Sequence, residues 1–359
     1  MPSTTLTALI VFSLSIATSI EASQLQWPLD PSNTIWDGRI SSWMDLEDFD
    51  SPTLSPYNET HVHGYRNWSD YLRMPTNVKR SLFDYEHGTV PLEVTVDDTS
   101  LFLSGGENLQ YGFRRSELNP VSNNGTNDHF GRVAISSVTK IFDSSTAVTL
   151  TPTETDRCFC LVDGKRTIHF SVRADDSRPL DFTHEYQNVF LETNAYDAHQ
   201  FTLKTGTPYD NSTSINSSAV TATQTLRIEG GTNAGALEKT LFETAYSGGT
   251  WHNFAVELDF DAKYAEHSVA WKACCSTLAA YYSNDYANLE LVVPATANNN
   301  SGGGLYHFGI IKLPTSGTGN GSVPFSGYQP SNIEEVCELS LFGTDLDHVL
   351  GEELTGILL

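Results

Sequence analysis

Apolar and polar residues alternate in short runs along most of this chain, and stretches rich in Ser, Thr, Asn, Asp and Gly separate the runs. Period-two patterning of that kind predicts half-buried strands. They fall at Leu92 to Val96, Leu109 to Leu118, Arg132 to Ile135, Thr167 to Val172, His184 to Leu191, His252 to Phe260, Ser268 to Lys272 and Tyr306 to Leu313. Helical periodicity is confined to two modest stretches, Leu237 to Tyr246 and Ala273 to Tyr282. The pattern predicts an all-β chain.

The segment Thr250 to Phe260 alternates most cleanly. His252, Phe254, Val256, Leu258 and Phe260 point to one side, the expected core, and Asn253, Ala255, Glu257 and Asp259 to the other, the expected wet face. His252 therefore reads as a packed core histidine. With the strand predicted at Ser268 to Lys272 it resembles the hairpin of concanavalin-like β-jelly-roll sandwiches, a likeness at the level of fold. The polar tracts at 120–128, 205–222 and 295–304 read as long loop insertions that wall a concave groove.

Two of the predicted strands carry charge where a structural strand rarely does. In Leu109 to Leu118, Tyr111, Phe113, Arg115 and Glu117 share a face, opposite Gly112, Arg114, Ser116 and Leu118. In the second segment Glu185 and Gln187 share one face, and His184 and Tyr186 the other. A strand glutamate beside an arginine is ordinarily a solvated pair of little energetic value. Two glutamates on rigid elements, flanked by donors and aromatic rings, instead suit glycoside hydrolysis, which needs paired carboxyl groups.

Bulk properties narrow the partners. Lys and Arg number 20 against 44 acidic residues, a formal net charge of -24, which repels nucleic acid, anionic membranes and polyanionic substrates and favours a neutral one. The apolar run Leu6 to Ala17, followed by small Ala22 and Ser23, reads as a secretory signal over residues 1–22. Sequons at Asn58, Asn67, Asn124, Asn211, Asn216, Asn299 and Asn320 fit a secreted, extracellular glycoprotein. The 5 cysteines, Cys158, Cys160, Cys274, Cys275 and Cys337, allow at most two internal disulfides and lack the spacing of a zinc site, so neither metal nor cofactor is expected. Residues 23–359 are expected to form one monomeric domain with an acidic extension from about residue 330.

Five motifs stand in order: Ile35-Trp-Asp-Gly-Arg39, Phe113-Arg-Arg-Ser-Glu-Leu-Asn-Pro120, His184-Glu-Tyr-Gln187, Thr250-Trp-His-Asn253 and Tyr306-His-Phe-Gly-Ile-Ile-Lys-Leu-Pro314. Together they resemble glycoside hydrolase family 131. The resemblance implies a fungal secreted β-jelly roll that acts on β-linked glucans (1,3-, 1,4- or 1,6-linked). It carries the catalytic carboxylates onto Glu117 and Glu185, the residues that strand alternation singles out independently. Arg115, Gln187, His307 and Tyr111 then become candidates for substrate binding or for holding a carboxylate in place.

Three functional classes follow. In a hydrolase, Glu185 is expected as the acid and Glu117 as the base of a single displacement that releases the α-anomer, with carboxyls roughly 6.5–9.5 Å apart. A polysaccharide lyase is suggested by Arg115-Ser-Glu-Leu118, similar to the Arg-Ser/Thr-Glu-Leu-Arg strand of jelly-roll alginate lyases. Asn119 replaces the closing Arg, and the scarcity of Lys and Arg opposes a polyanionic substrate. A non-catalytic glucan-binding lectin would use the same face for hydrogen bonding and stacking.

Overall fold

The computed structural model describes residues 34–51, 54–57, 64, 66–84, 88–97, 99–104, 108–120, 132–133, 159–160, 164–208, 223–231, 239–260, 276–313, 334–338 and 342–345. For 34–35, 101–113, 132–133, 159–160, 334–338 and 342–345 it describes the backbone alone. The strands are β1 (Thr34–Asp37), β2 (Ile40–Ser41), β3 (Leu72–Arg73), β4 (Thr89–Val90), β5 (Leu92–Val96), β6 (Leu101–Ser104), β7 (Asn108–Leu118), β8 (Arg132–Val133), β9 (Phe159–Cys160) and β10 (Lys165–Ala174). They continue with β11 (Glu185–Glu192), β12 (His199–Gly206), β13 (Thr225–Gly230), β14 (Lys239–Ala245), β15 (His252–Asp259), β16 (Thr277–Asn284), β17 (Glu290–Ala297), β18 (Leu305–Lys312), β19 (Glu334–Glu338) and β20 (Phe342–Asp345).

Among the described residues two large antiparallel sheets form. A nine-stranded sheet runs β17-β16-β15-β10-β19-β5-β3, with β20 pairing both β10 and β1, and a seven-stranded sheet runs β14-β13-β12-β11-β18-β7-β6. They face each other over one core: Val94, Phe170, Phe254, Val256 and Leu278 from the first meet Leu118, Val189, Leu203, Ile228, Phe308 and Ile310 from the second. Burial of each such side chain contributes about 1.5–3 kcal/mol, and this is what selects the inward face of every strand. The result is the all-β sandwich that alternation predicts, of the jelly-roll class that the resemblance implies.

Three expectations are corrected. The stretches at Leu237 to Tyr246 and Ala273 to Tyr282 do not form helices where they are described. Residues 239–245 and 277–284 are β14 and β16, because pairing with β13 and β15 overrides a weak local period. The side of β15 expected to be wet is largely covered. Asn253 and Ala255 are fully buried, the latter in a satellite cluster with Leu82, Phe83 and Leu289, while Asn253 bonds Ser171 and Ser283. The acidic stretch after residue 330 supplies β19, which lies inside the nine-stranded sheet between β10 and β5. His252 is a core histidine as expected, and burial pushes its pKa down to about 4.

The strand predicted at Ser268 to Lys272 lies outside the described residues, as do Cys158, Cys274, Cys275 and most sequons.

Candidate active site

The outer face of the seven-stranded sheet collects the charged residues. On β7 the core takes Leu118, so its neighbours Glu117 and Arg115 project outward together, as alternation requires. Tyr111 lies on the same strand, but its side chain is outside the described residues. Strand β18 runs alongside with Glu117 opposite Gly309 and Arg115 opposite Ile311. Gly309 has φ 140°, and a Cβ there would sit 2.1 Å from the Ser116 carbonyl oxygen and 3.0 Å from the Glu117 Cα, so only glycine lets the strands close beside Glu117.

Glu117 is fully buried and triply held. Arg115 Nε donates to its Oε1 and Arg115 Nη2 to its Oε2 at 3.0 Å, while His307 Nδ1 approaches Oε2 at 2.8 Å. Burial by itself would raise the Glu117 pKa, but the Arg115 charge and the His307 bond overcome it and hold the carboxyl at about 2. Because a carboxylate only accepts, the His307 Nδ1–H must donate, which turns Nε2 toward its other neighbour. That neighbour is Glu192, with Oε2 3.5 Å from Nε2. Phe190 stacks flat on the imidazole, with centroids 4.4 Å apart and planes 7° from parallel, and fixes its orientation.

Strict alternation along β11 would turn Glu192 into the core with Tyr186. A β-bulge between Gln187 and Val189 prevents this. Asn188 takes up the extra residue, its Nδ2 donating to the Gly309 carbonyl at 3.2 Å, and Val189 and Leu191 turn inward. Phe190 and Glu192 thereby join Glu185 and Gln187 on the outer face.

Glu185 belongs to a second cluster. Lys204 Nζ stands 3.4 Å from Glu185 Oε1 and 3.0 Å from Glu229 Oε2, and Arg227 Nε bonds Glu229 Oε1 at 3.3 Å. Gln187 faces Lys204 on one side and Ile311 on the other. Register separates Glu185 from Glu117: the Glu185 carbonyl accepts from the Leu313 amide, whereas Glu117 pairs with Gly309, four residues away on β18. At about 3.3 Å per residue and 4.8 Å per strand, the two α-carbons stand roughly 16 Å apart.

Alternation and resemblance thus select Glu117, Arg115, His307, Glu185 and Gln187, and all lie on one face, but in two clusters. Glu192, Phe190, Lys204, Glu229 and Arg227 escape that selection. Glu192 is the one with a signal, since unbroken alternation would have buried its charge and exposed Leu191. Among the described residues no group of three or more His, Cys, Asp or Glu side chains has metal-binding geometry.

A family model described as the glycoside hydrolase 131 catalytic N-terminal domain matches residues 34–340. The catalytic domain of a family 131 β-glucanase from Podospora anserina, 18% identical, superposes with TM-score 0.54 over 87% of this chain and 96% of its own. The catalytic domain of a family 131 protein from Coprinopsis cinerea, also 18% identical, gives 0.53 over 87% and 94%. An endo-β-1,4-glucuronan lyase from Trichoderma reesei, 14% identical over 80% of this chain and 94% of its own, reaches 0.36, too low to bear on function. No curated protein matches the chain.

Proposed function

The chain belongs to glycoside hydrolase family 131, and we propose that it cleaves β-linked glucan on the outer face of the seven-stranded sheet, with Glu117 as base and Glu192 as proton donor. The observation that carries this reading is that two carboxylates face the two nitrogens of one imidazole, at 2.8 and 3.5 Å. An imidazole is about 2 Å across between its nitrogens, so those oxygens are at most roughly 8.5 Å apart, which does not exceed the roughly 6.5–9.5 Å span of a single displacement.

Glu117, ionised down to about pH 2, is in the form a base requires. Its weak proton affinity is tolerable because the attacking water becomes acidic as it bonds to an oxocarbenium-like carbon. Glu192, with 18% of its side chain exposed against 1% for Glu117, is the carboxyl within reach of a leaving oxygen. Its Oε2 lies 3.5 Å from His307 Nε2, and in this reading Glu192 gives its proton to the leaving oxygen. Glu185, neutralised by Lys204, acts in substrate binding. The apolar run before Ala22 supports export, and amino-terminal sequencing of the mature protein should begin near Ser23.

The test is incubation with soluble β-glucan, with detection of new reducing ends and proton NMR before mutarotation. An initial α-anomer is expected. Unsaturated ends absorbing in the ultraviolet would make the protein a lyase, and an initial β-anomer would exclude the single displacement. Binding of glucan without cleavage would make it a lectin.

A further inference from the structure

The hairpin joining β11 to β12 holds an aromatic ring in a backbone conformation that aromatic residues rarely adopt. Tyr196 has φ 57° and is 57% exposed. Among the described residues the other non-glycine residue with positive φ is Asp285, a type that tolerates this region through local hydrogen bonds. Tyrosine has no such compensation, and glycine would occupy the position without strain. Backbone strain of this kind clusters at ligand-binding positions.

The turn beneath it is nevertheless rigid. The Tyr196 amide donates to the Thr193 carbonyl at 2.9 Å, the Thr193 hydroxyl to Asp197 at 2.8 Å, and the Asn194 amide to the Gly302 carbonyl at 3.2 Å. Gln200 Nε2 ties the next strand to the Ser301 and Gly303 carbonyls. The ring thus stands on a braced support directly after Glu192. Burial raises the Tyr196 phenol pKa and the Glu192 charge raises it further, which puts the ring within electrostatic reach of that carboxylate.

We propose that Tyr196 is a stacking platform for a glucose unit beside the scissile bond, at the Glu192 end of the site. The apolar C–H face of a β-linked pyranose packs on an aromatic face, and the phenol can bond a ring hydroxyl. This inference rests on the glucan-cleaving reading above. It adds an exposed aromatic face to a cluster whose other members are the Arg115 guanidinium, the His307 imidazole stacked on Phe190, and two carboxylates.

The experiment measures binding of cellohexaose and laminarihexaose by titration calorimetry to the inactive Glu117→Gln protein, with and without a second change. Tyr196→Gly and Tyr196→Ala should weaken binding of the preferred hexaose roughly 5–10-fold, and Tyr196→Phe about twofold or less. The melting temperature of Tyr196→Gly should equal or exceed that of its parent, because the strain is relieved. Tyr286→Ala, at an exposed hairpin turn of the other sheet, should change neither affinity. Undiminished binding by the Gly and Ala variants, or a fall in their melting temperature with affinity retained, overturns the platform. Failure of the Glu117→Gln parent to bind either hexaose, with no reducing ends released by wild type, overturns the glucan site itself and the platform with it.

Discussion

Two charged clusters share one face of the seven-stranded sheet, and they are built on opposite rules. Around Lys204 the charges alternate in sign from Glu185 through Lys204 and Glu229 to Arg227, so each buried carboxylate has its own cation. Around His307 the Arg115 guanidinium bonds Glu117 on both oxygens and reaches Glu192 only through its charge, and Glu192 faces an imidazole nitrogen. The first arrangement satisfies the desolvation cost of its ions and can stand still. The second sets an imidazole between a deeply buried carboxylate and a partly exposed one, an asymmetry that the proposed acid–base roles use. A pair of glutamates is therefore not enough to mark a catalytic site, and what lies between them matters more.

The largest effect should come from the carboxylates of the His307 cluster. Glu117→Gln and Glu192→Gln should each lower turnover of soluble β-glucan by about 10²–10⁴-fold, whereas Glu185→Gln should cost less than about tenfold and act mainly on KM. A loss at Glu185 larger than that at Glu192 would exchange the roles assigned to the two clusters.

Lys204→Met reverses the emphasis. It strips the shared cation from Glu185 and Glu229, both nearly buried, and should destabilise the fold by about 3 kcal/mol in urea melts while leaving turnover within tenfold. Equal stability to the parent would mean that the alternating cluster is not the structural one.

The acid response should separate them next. Glu117 has a folded pKa of about 2 against an ordinary 4.5, so folding favours the ionised form. That stability is present above about pH 5 and is lost as pH falls toward 2, about 3 kcal/mol in all. Glu117→Gln should lack this part of the acid slope, measured as the urea midpoint between pH 5 and 2. An unchanged slope would mean that Arg115 and His307 do not hold Glu117 as described.

Phe190→Leu should give the smallest effect. Losing the flat stack beneath His307 should reduce kcat a few-fold, in line with about 0.5–1.5 kcal/mol for such a ring contact. No change in kcat would leave His307 orientation to its carboxylates alone.

Much of this was legible beforehand. The strand Leu92–Val96 has the bounds that alternation predicts, and at the end of β7 Leu118 enters the core while Arg115 and Glu117 project outward, as a period of two requires. Trp36, Trp251 and Asn253, which helped to carry the family likeness, turn out to be packing residues. Trp36 stacks on Phe308, and Trp251 Nε1 donates to the Lys79 carbonyl at 2.7 Å. Glu192 was missed because one inserted residue at Asn188 inverts every later side chain on its strand, which unbroken alternation does not allow for. The misread helices at 237–246 and 273–282 failed, where they are described, because ladder pairing with the neighbouring strands β13, β15 and β17 outweighs a weak local period.

By itself the sequence determined the β class, the inward faces of its longer strands and the placing of Glu117 beside Arg115, because side-chain alternation follows from local backbone geometry. Only the tertiary structure decided which carboxylate meets His307. Three strands far apart in the chain must align for that contact, and their register depends on a bulge, a close approach at Gly309 and a shared core.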